Sequence, residues 1–263
     1  MNNYKGFFLV VEGPGGSGKS TLMNRLEEWA KQRNLPYVRT REPGGTFASD
    51  YLRPLCRSGI PGNPVPLHPM TEALLFNAAR VENIQQVIIP ALQEGKLVIC
   101  DRFYHSTVAY QTRTGQVEVD QLLALHDVVH DLRPDRTLIL DGCPAKFNGR
   151  VADEEKAADF GDSLKLSEMQ RIREVYRYLA QEPDHVLIDG EQTADNVFTQ
   201  IFPWLQAIEG YIFKRPVMTP DLPETICFKG SRVLRTLDQE HVDRLFEELS
   251  AEAHKENDCY LIH

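Results

Sequence analysis

The stretch Gly13-Pro14-Gly15-Gly16-Ser17-Gly18-Lys19-Ser20 constrains this chain more than any other feature. It fits the pattern G-x-x-x-x-G-K-[ST] at every position, follows the apolar run Phe7–Val11 and opens the helical segment Lys19–Gln32. A strand, a glycine-rich loop and a helix in that order form a phosphate cradle. Glycines at 13, 15, 16 and 18 let backbone N–H groups turn inward around an anion with no Cβ in the way. The helix N-terminus, entered through Ser20 and Thr21, adds partial positive charge. Lys19 supplies a point charge to the β- and γ-phosphates, and the Ser20 hydroxyl is placed to ligate Mg2+. Together with Ser17 of the loop, these residues predict a site for a nucleoside triphosphate such as ATP.

The remaining pattern agrees with such a loop. Short apolar runs at Phe7–Val11, Pro36–Thr40, Leu97–Cys100, Thr137–Leu140 and His185–Ile188 alternate with helical segments at Lys19–Gln32, Thr71–Gln93, Val117–His130, Leu164–Gln181 and Thr193–Ile208. Continuous apolar strands belong to a parallel sheet covered on both faces, and strand–helix alternation is the mark of βαβ units. The expected fold class is therefore α/β: a doubly wound, mostly parallel five-stranded sheet with helices on both faces. After Glu209 the pattern stops. Residues 210–263 begin with prolines at 216, 220 and 223 and read as a linker leading to a small C-terminal extension. The expected division is a main domain over 1–209 and an extension over 210–263.

Composition narrows the partners. Lys plus Arg is 29 against 38 Asp plus Glu, a formal charge of −9, which argues against non-specific nucleic-acid binding. No apolar run approaches the roughly 18 residues needed to cross a bilayer, and no leader-like segment precedes Phe7, so a cytoplasmic protein without membrane contact is expected. The 5 cysteines are odd in number and widely spaced, which speaks against a disulfide framework or structural zinc. Cys100 reads as a small buried hydrophobe.

Further motifs describe what receives the phosphate. Leu97-Val98-Ile99-Cys100-Asp101 is an apolar strand ending in a carboxylate, the form that helps hold Mg2+ beside a triphosphate. Thr40-Arg41-Glu42-Pro43-Gly44-Gly45-Thr46 follows the second strand. Phe76 and Arg80 lie four residues apart on one helix face. Asp101-Arg102-Phe103 precedes Ser106-Thr107-Val108-Ala109-Tyr110-Gln111, and Leu140-Asp141 precedes Pro144 and a helical turn ending at Arg150. With Glu12-Gly13 and the loop, this series resembles the thymidylate kinases, and its T-R-E-P-G-G-T and S-T-x-A-Y-Q stretches look most like the bacterial branch. The resemblance covers about residues 5–208.

The resemblance implies phosphoryl transfer from ATP to dTMP. Arg41 and Arg102 would grip the acceptor phosphate, since guanidinium forks match phosphate oxygens. Phe76 would stack on the pyrimidine and Arg80 would donate to a base carbonyl. Thr107 and Gln111 would line the base pocket, and Tyr110 would pack against the deoxyribose. Residues at about 150–164 stand where the family carries a lid that closes over the phosphates. A homodimer is also implied.

Local readings compete with some of these roles. Phe76, within Leu74-Leu75-Phe76, is also a candidate for the core. Glu12 is either a charge at the sheet edge or a group ordering water near Mg2+. Two positions depart from the family. Gly15 stands where a carboxylate usually contacts the sugar 3′-hydroxyl, which opens the way to another or a modified deoxynucleoside monophosphate. From Val151 to Asp162 the lid holds no arginine, so the nearest candidate for the catalytic arginine is Arg150 at its entry, with Arg171 and Arg173 further along; Arg150 is equally a helix C-terminal charge. An arginine-poor lid and a foreign tail also motivate a nucleotide-binding regulatory protein without phosphotransfer.

Overall fold

The computed structural model describes residues 4–59, 65–148 and 164–214. The expected extension beyond Lys214, Arg150 and nearly all of the expected lid lie outside them. Five strands, β1 (Phe7–Glu12), β2 (Tyr37–Arg41), β3 (Leu97–Asp101), β4 (Arg136–Asp141) and β5 (His185–Asp189), form one sheet in the order β2-β3-β1-β4-β5. Every pairing is parallel. All five expected strands are present, each extended to its polar C-terminal residue.

Alternation along the strands divides the interior into two cores. Leu9 and Val11 of β1, Leu97 and Ile99 of β3, and Leu138 and Leu140 of β4 pack on one face against α1 (Lys19–Gln32) and, from the far end of the chain, α9 (Ala194–Lys214). Phe8, Val10, Val98, Cys100 and Ile139 face the other way. They pack against helices that include α3 (Pro69–Asn83), α4 (Ile89–Gln93), α5 (Tyr104–Gln111), α6 (Val119–Val129) and α8 (Leu166–Leu179). Cys100 is wholly buried, as its surroundings in the sequence predict.

Three differences have local causes. The expected single helix over Thr71–Gln93 is α3 and α4 joined by a π-helical turn at Ile84–Ile88. Pro90 has no N–H for the carbonyl four residues earlier and its ring crowds that carbonyl, so the wider turn accommodates it. A helix that the sequence pattern does not predict, α2 (Phe47–Ser58), follows the T-R-E-P-G-G-T segment despite Pro54. Thr46 caps it, its Oγ1 accepting from Ser49 N at 3.1 Å. Finally, α9 continues past Ile208 to Lys214, carrying the helix through the 209/210 position. Ile208 is buried, and the Tyr211 ring meets Phe7 edge-on at 5.5 Å. A short α7 (Pro144–Asn148) follows β4.

Candidate active site

The phosphate cradle begins where β1 ends. Gly13, Gly16 and Gly18 have φ of +139°, +70° and +96°. At Gly13 the requirement is also steric, because a Cβ there would lie 2.7 Å from the Leu140 carbonyl oxygen. The chain then enters α1 at Lys19. Its Nζ donates to the Gly13 carbonyl at 2.9 Å and the Pro14 carbonyl at 2.7 Å, which fixes the ammonium over the loop. Ser17 is buried beside it, whereas Ser20 and Thr21 are exposed at the helix start. No acidic residue occupies the first turn of α1 to offset its positive end.

The next strand over supplies the rim. Asp101 closes β3, and its Oδ1 is buried without a partner among the described residues. An orphaned carboxylate oxygen beside a phosphate cradle suits a hard cation, and with the Ser20 hydroxyl it supplies the oxygen donors that Mg2+ prefers. Arg41 is the register partner of Asp101 on β2 and is exposed, its Nη2 3.4 Å from Asp50 of α2. Arg102 follows Asp101 with φ of +71°, unusual for a residue with a side chain. Its N–H donates to the Val11 carbonyl at 3.0 Å, and its Nη1 donates to Ser106 Oγ at 2.9 Å and the Gly13 carbonyl at 3.3 Å. The guanidinium also sits 5.2 Å from the centre of the Tyr110 ring.

Glu12 holds this turn from below. Oε1 accepts from Phe103 N at 2.7 Å and Ser106 N at 3.2 Å; Oε2 accepts from Ser106 Oγ at 2.7 Å and Tyr176 Oη at 2.9 Å. Both oxygens are saturated and the residue is wholly buried. Of the two readings open from sequence, neither describes it: Glu12 is an internal anchor.

On the acceptor side α3 lies against α5. Arg80, though charged, is buried, and it spends three donors on protein: Nε to Glu42 Oε2 at 2.7 Å, Nη1 to Asn77 Oδ1 at 2.9 Å and Nη2 to Thr107 Oγ1 at 2.8 Å. Gln111 Nε2 donates to Glu72 Oε2 at 3.1 Å, and Arg113 pairs with the same carboxylate at 3.0 Å. Phe76 lies between Glu72 and Arg80 on this helix face, half-buried and outside both apolar cores. The core reading of Phe76 therefore loses its support.

These two halves share α5. Thr107 and Gln111 of that helix reach α3, while Tyr110 Oη accepts from Gly15 N of the cradle at 3.2 Å. Among the sequence candidates, Arg102 and Tyr110 meet directly, Lys19 and Arg102 share the Gly13 carbonyl, Arg80 and Thr107 meet directly, and Arg41 lies at the strand end beside Asp101. Arg173 forks onto Asp141 of β4 at 2.6 and 3.0 Å. Sequence reasoning missed Glu42, Glu72, Ser106 and Tyr176; Glu42 and Ser106 lay inside motifs, and Glu72 and Tyr176 did not.

The family sequence profile described as thymidylate kinase matches residues 11–201. The chain belongs to the thymidylate kinase family. A thymidylate kinase of Clostridium novyi is 34% identical over 206 residues, covering 77% of this chain and 99% of the relative. One from Symbiobacterium thermophilum is 39% identical over 193 residues, 72% of this chain and 88% of its own. A third, from an Exiguobacterium species, is 34% identical over 202 residues, covering 76% and 93%. Membership of the thymidylate kinase family makes the chain a nucleoside monophosphate kinase, and the regulatory reading without phosphotransfer falls. Among the described residues no helix is long and apolar enough to cross a membrane.

Proposed function

We propose that this chain transfers the γ-phosphoryl group of ATP to dTMP, giving dTDP and ADP. The observation that carries the reading is the shared helix α5, which touches the phosphate cradle through Tyr110 and the base-reading arginine through Thr107. An oxygen of the dTMP phosphate forms the new bond to the γ-phosphorus as the bond to the β,γ-bridging oxygen breaks. That oxygen is already an anionic nucleophile, so the protein's work is alignment and charge neutralisation.

Lys19 and the amides of residues 13–21 hold the donor phosphates. Arg41 and Arg102 grip the acceptor phosphate, Phe76 stacks on thymine, Arg80 reads a carbonyl, and Thr107, Tyr110 and Gln111 wall the pocket. Ser20 and Asp101 hold Mg2+, which when bound neutralises charge on the triphosphate. Arg150 is the proposed catalytic arginine. A cytoplasmic homodimer completes the proposal; Phe47 and Tyr51, 91% and 77% exposed on α2, and Leu74, 51% exposed on the adjoining α3, are the apolar residues it would cover.

A coupled assay with ATP and Mg2+ over a panel of nucleoside monophosphates tests the reading. Preference for dTMP is expected. Preference for another or a modified pyrimidine deoxynucleotide would overturn the assignment and trace to Gly15. Light scattering reads the dimer.

A further inference from the structure

Arg102 is held by Ser106 as well as by the Gly13 carbonyl, and the Ser106 anchor runs on to a different part of the chain. Ser106 Oγ accepts from Arg102 Nη1 at 2.9 Å and lies 2.7 Å from Glu12 Oε2 and 3.0 Å from Tyr176 Oη. Tyr176 belongs to α8, the first described helix after the expected lid, and is 1% exposed. A serine hydroxyl has one proton and two lone pairs. Its short contact to Glu12 takes the proton, and Arg102 takes one lone pair.

The remaining capacity of Glu12 Oε2 is filled by the Tyr176 hydroxyl at 2.9 Å. Without that hydroxyl the buried Oε2 would keep only the Ser106 donor, and an acceptor site on a buried carboxylate would go unfilled. The Arg102 guanidinium, of opposite charge, already donates to the neighbouring Ser106, whereas His105 Nδ1 lies 3.8 Å from the other carboxylate oxygen, Oε1. The guanidinium would be drawn inward, away from the rim.

We propose that Tyr176 is a positioning residue for Arg102: by occupying Glu12 it keeps the guanidinium on Ser106 and aimed at the acceptor phosphate. This rests on the reading that Arg102 grips that phosphate. Arg102 stays charged throughout, its pKa raised by nearby Tyr110, Tyr176, Asp101 and Glu12 in spite of burial. The effect of Tyr176 is therefore on direction and not on protonation.

Calorimetric binding of dTMP and of thymidine, which lacks the phosphate, separates positioning from general damage. Both ligands are titrated into the full-length wild type and the Arg102→Ala, Tyr176→Phe and Ser106→Ala variants. Arg102→Ala is expected to weaken dTMP and spare thymidine. Tyr176→Phe is expected to weaken dTMP about tenfold with thymidine unchanged, the loss of one charge-assisted contact. Ser106→Ala removes the same anchor and should show the same ratio, which keeps the test available if the buried tyrosine variant does not fold. If Arg102→Ala shifts the dTMP-to-thymidine ratio and neither anchor variant does, positioning is wrong while the grip stands. If Arg102→Ala leaves the ratio alone, the grip and the positioning role both fall.

Discussion

Arg80 and Glu42 form a buried ion pair: Nε donates to Oε2 at 2.7 Å, and the two side chains are 2% and 4% exposed. The pair joins α3 to the segment that carries Arg41, so Arg80, proposed to read the base, is braced by the residue next to Arg41, proposed to grip the phosphate. Glu42 faces inward where Arg41 faces out.

Removing one member of a buried pair leaves an uncompensated charge. Glu42→Ala at pH 8 is expected to destabilise the fold by about 3–5 kcal/mol. Glu42→Gln, which keeps an oxygen acceptor, should cost less. Urea denaturation of both variants measures the difference, and equal losses would show that shape and not charge sets the cost.

Stability should also carry a pH signature of this pair. Burial, opposed by the Arg80 guanidinium, pushes the Glu42 carboxyl from the ordinary 4.5 up to about 7. The folded state then holds the proton more tightly than the unfolded state. The resulting stabilisation is complete below about pH 4.5 and is lost as pH rises through about 7. Wild type should therefore lose stability relative to Glu42→Gln across that window and run parallel to it above. Paired urea melts at several pH values provide the comparison, and a flat difference would contradict the shift.

Lys19 is pinned by the Gly13 and Pro14 carbonyls, so its ammonium occupies a fixed place beside the cradle. Lys19→Ala should lower kcat about 10²–10³-fold, the scale for losing one preorganised electrostatic group at a transferring phosphoryl. Unchanged thermal stability with lost turnover would locate the effect in chemistry. Retained turnover would exclude the residue from it.

Truncation at two points separates the end of α9 from the C-terminal residues beyond it. Ending the chain at Glu209 removes Tyr211 and its edge contact with Phe7, together with Ile212, which packs on the core. A loss of about 1–3 kcal/mol is expected, in line with burial of one or two large side chains. Ending it after Lys214 should preserve dTMP phosphorylation, since the family profile match ends at residue 201. A dead enzyme after the second cut would assign residues 215–263 a direct part in catalysis.

What could be read in the sequence divides by range. The strands were legible because a strand buried on both faces is written as an unbroken apolar run, as at Leu97–Cys100. The cradle was legible because its glycines and lysine are contiguous. The helix α2 was not, since Pro54 suggests an end where capping by Thr46 in fact sustains a helix. Partners such as Glu42 for Arg80 or Tyr176 for Glu12, separated by 38 and 164 residues, leave no local trace. Only the fold brings them within reach, and the inward role of Glu12 was settled only by four donors converging on it.

Because one short helix serves both pockets, neither pocket can be displaced alone. A shift of α5 that relaxed Tyr110 from Gly15 would carry Thr107 with it and slacken Arg80. On the proposed reading, occupancy at one end would bias affinity at the other, and linkage would make that influence equal in both directions.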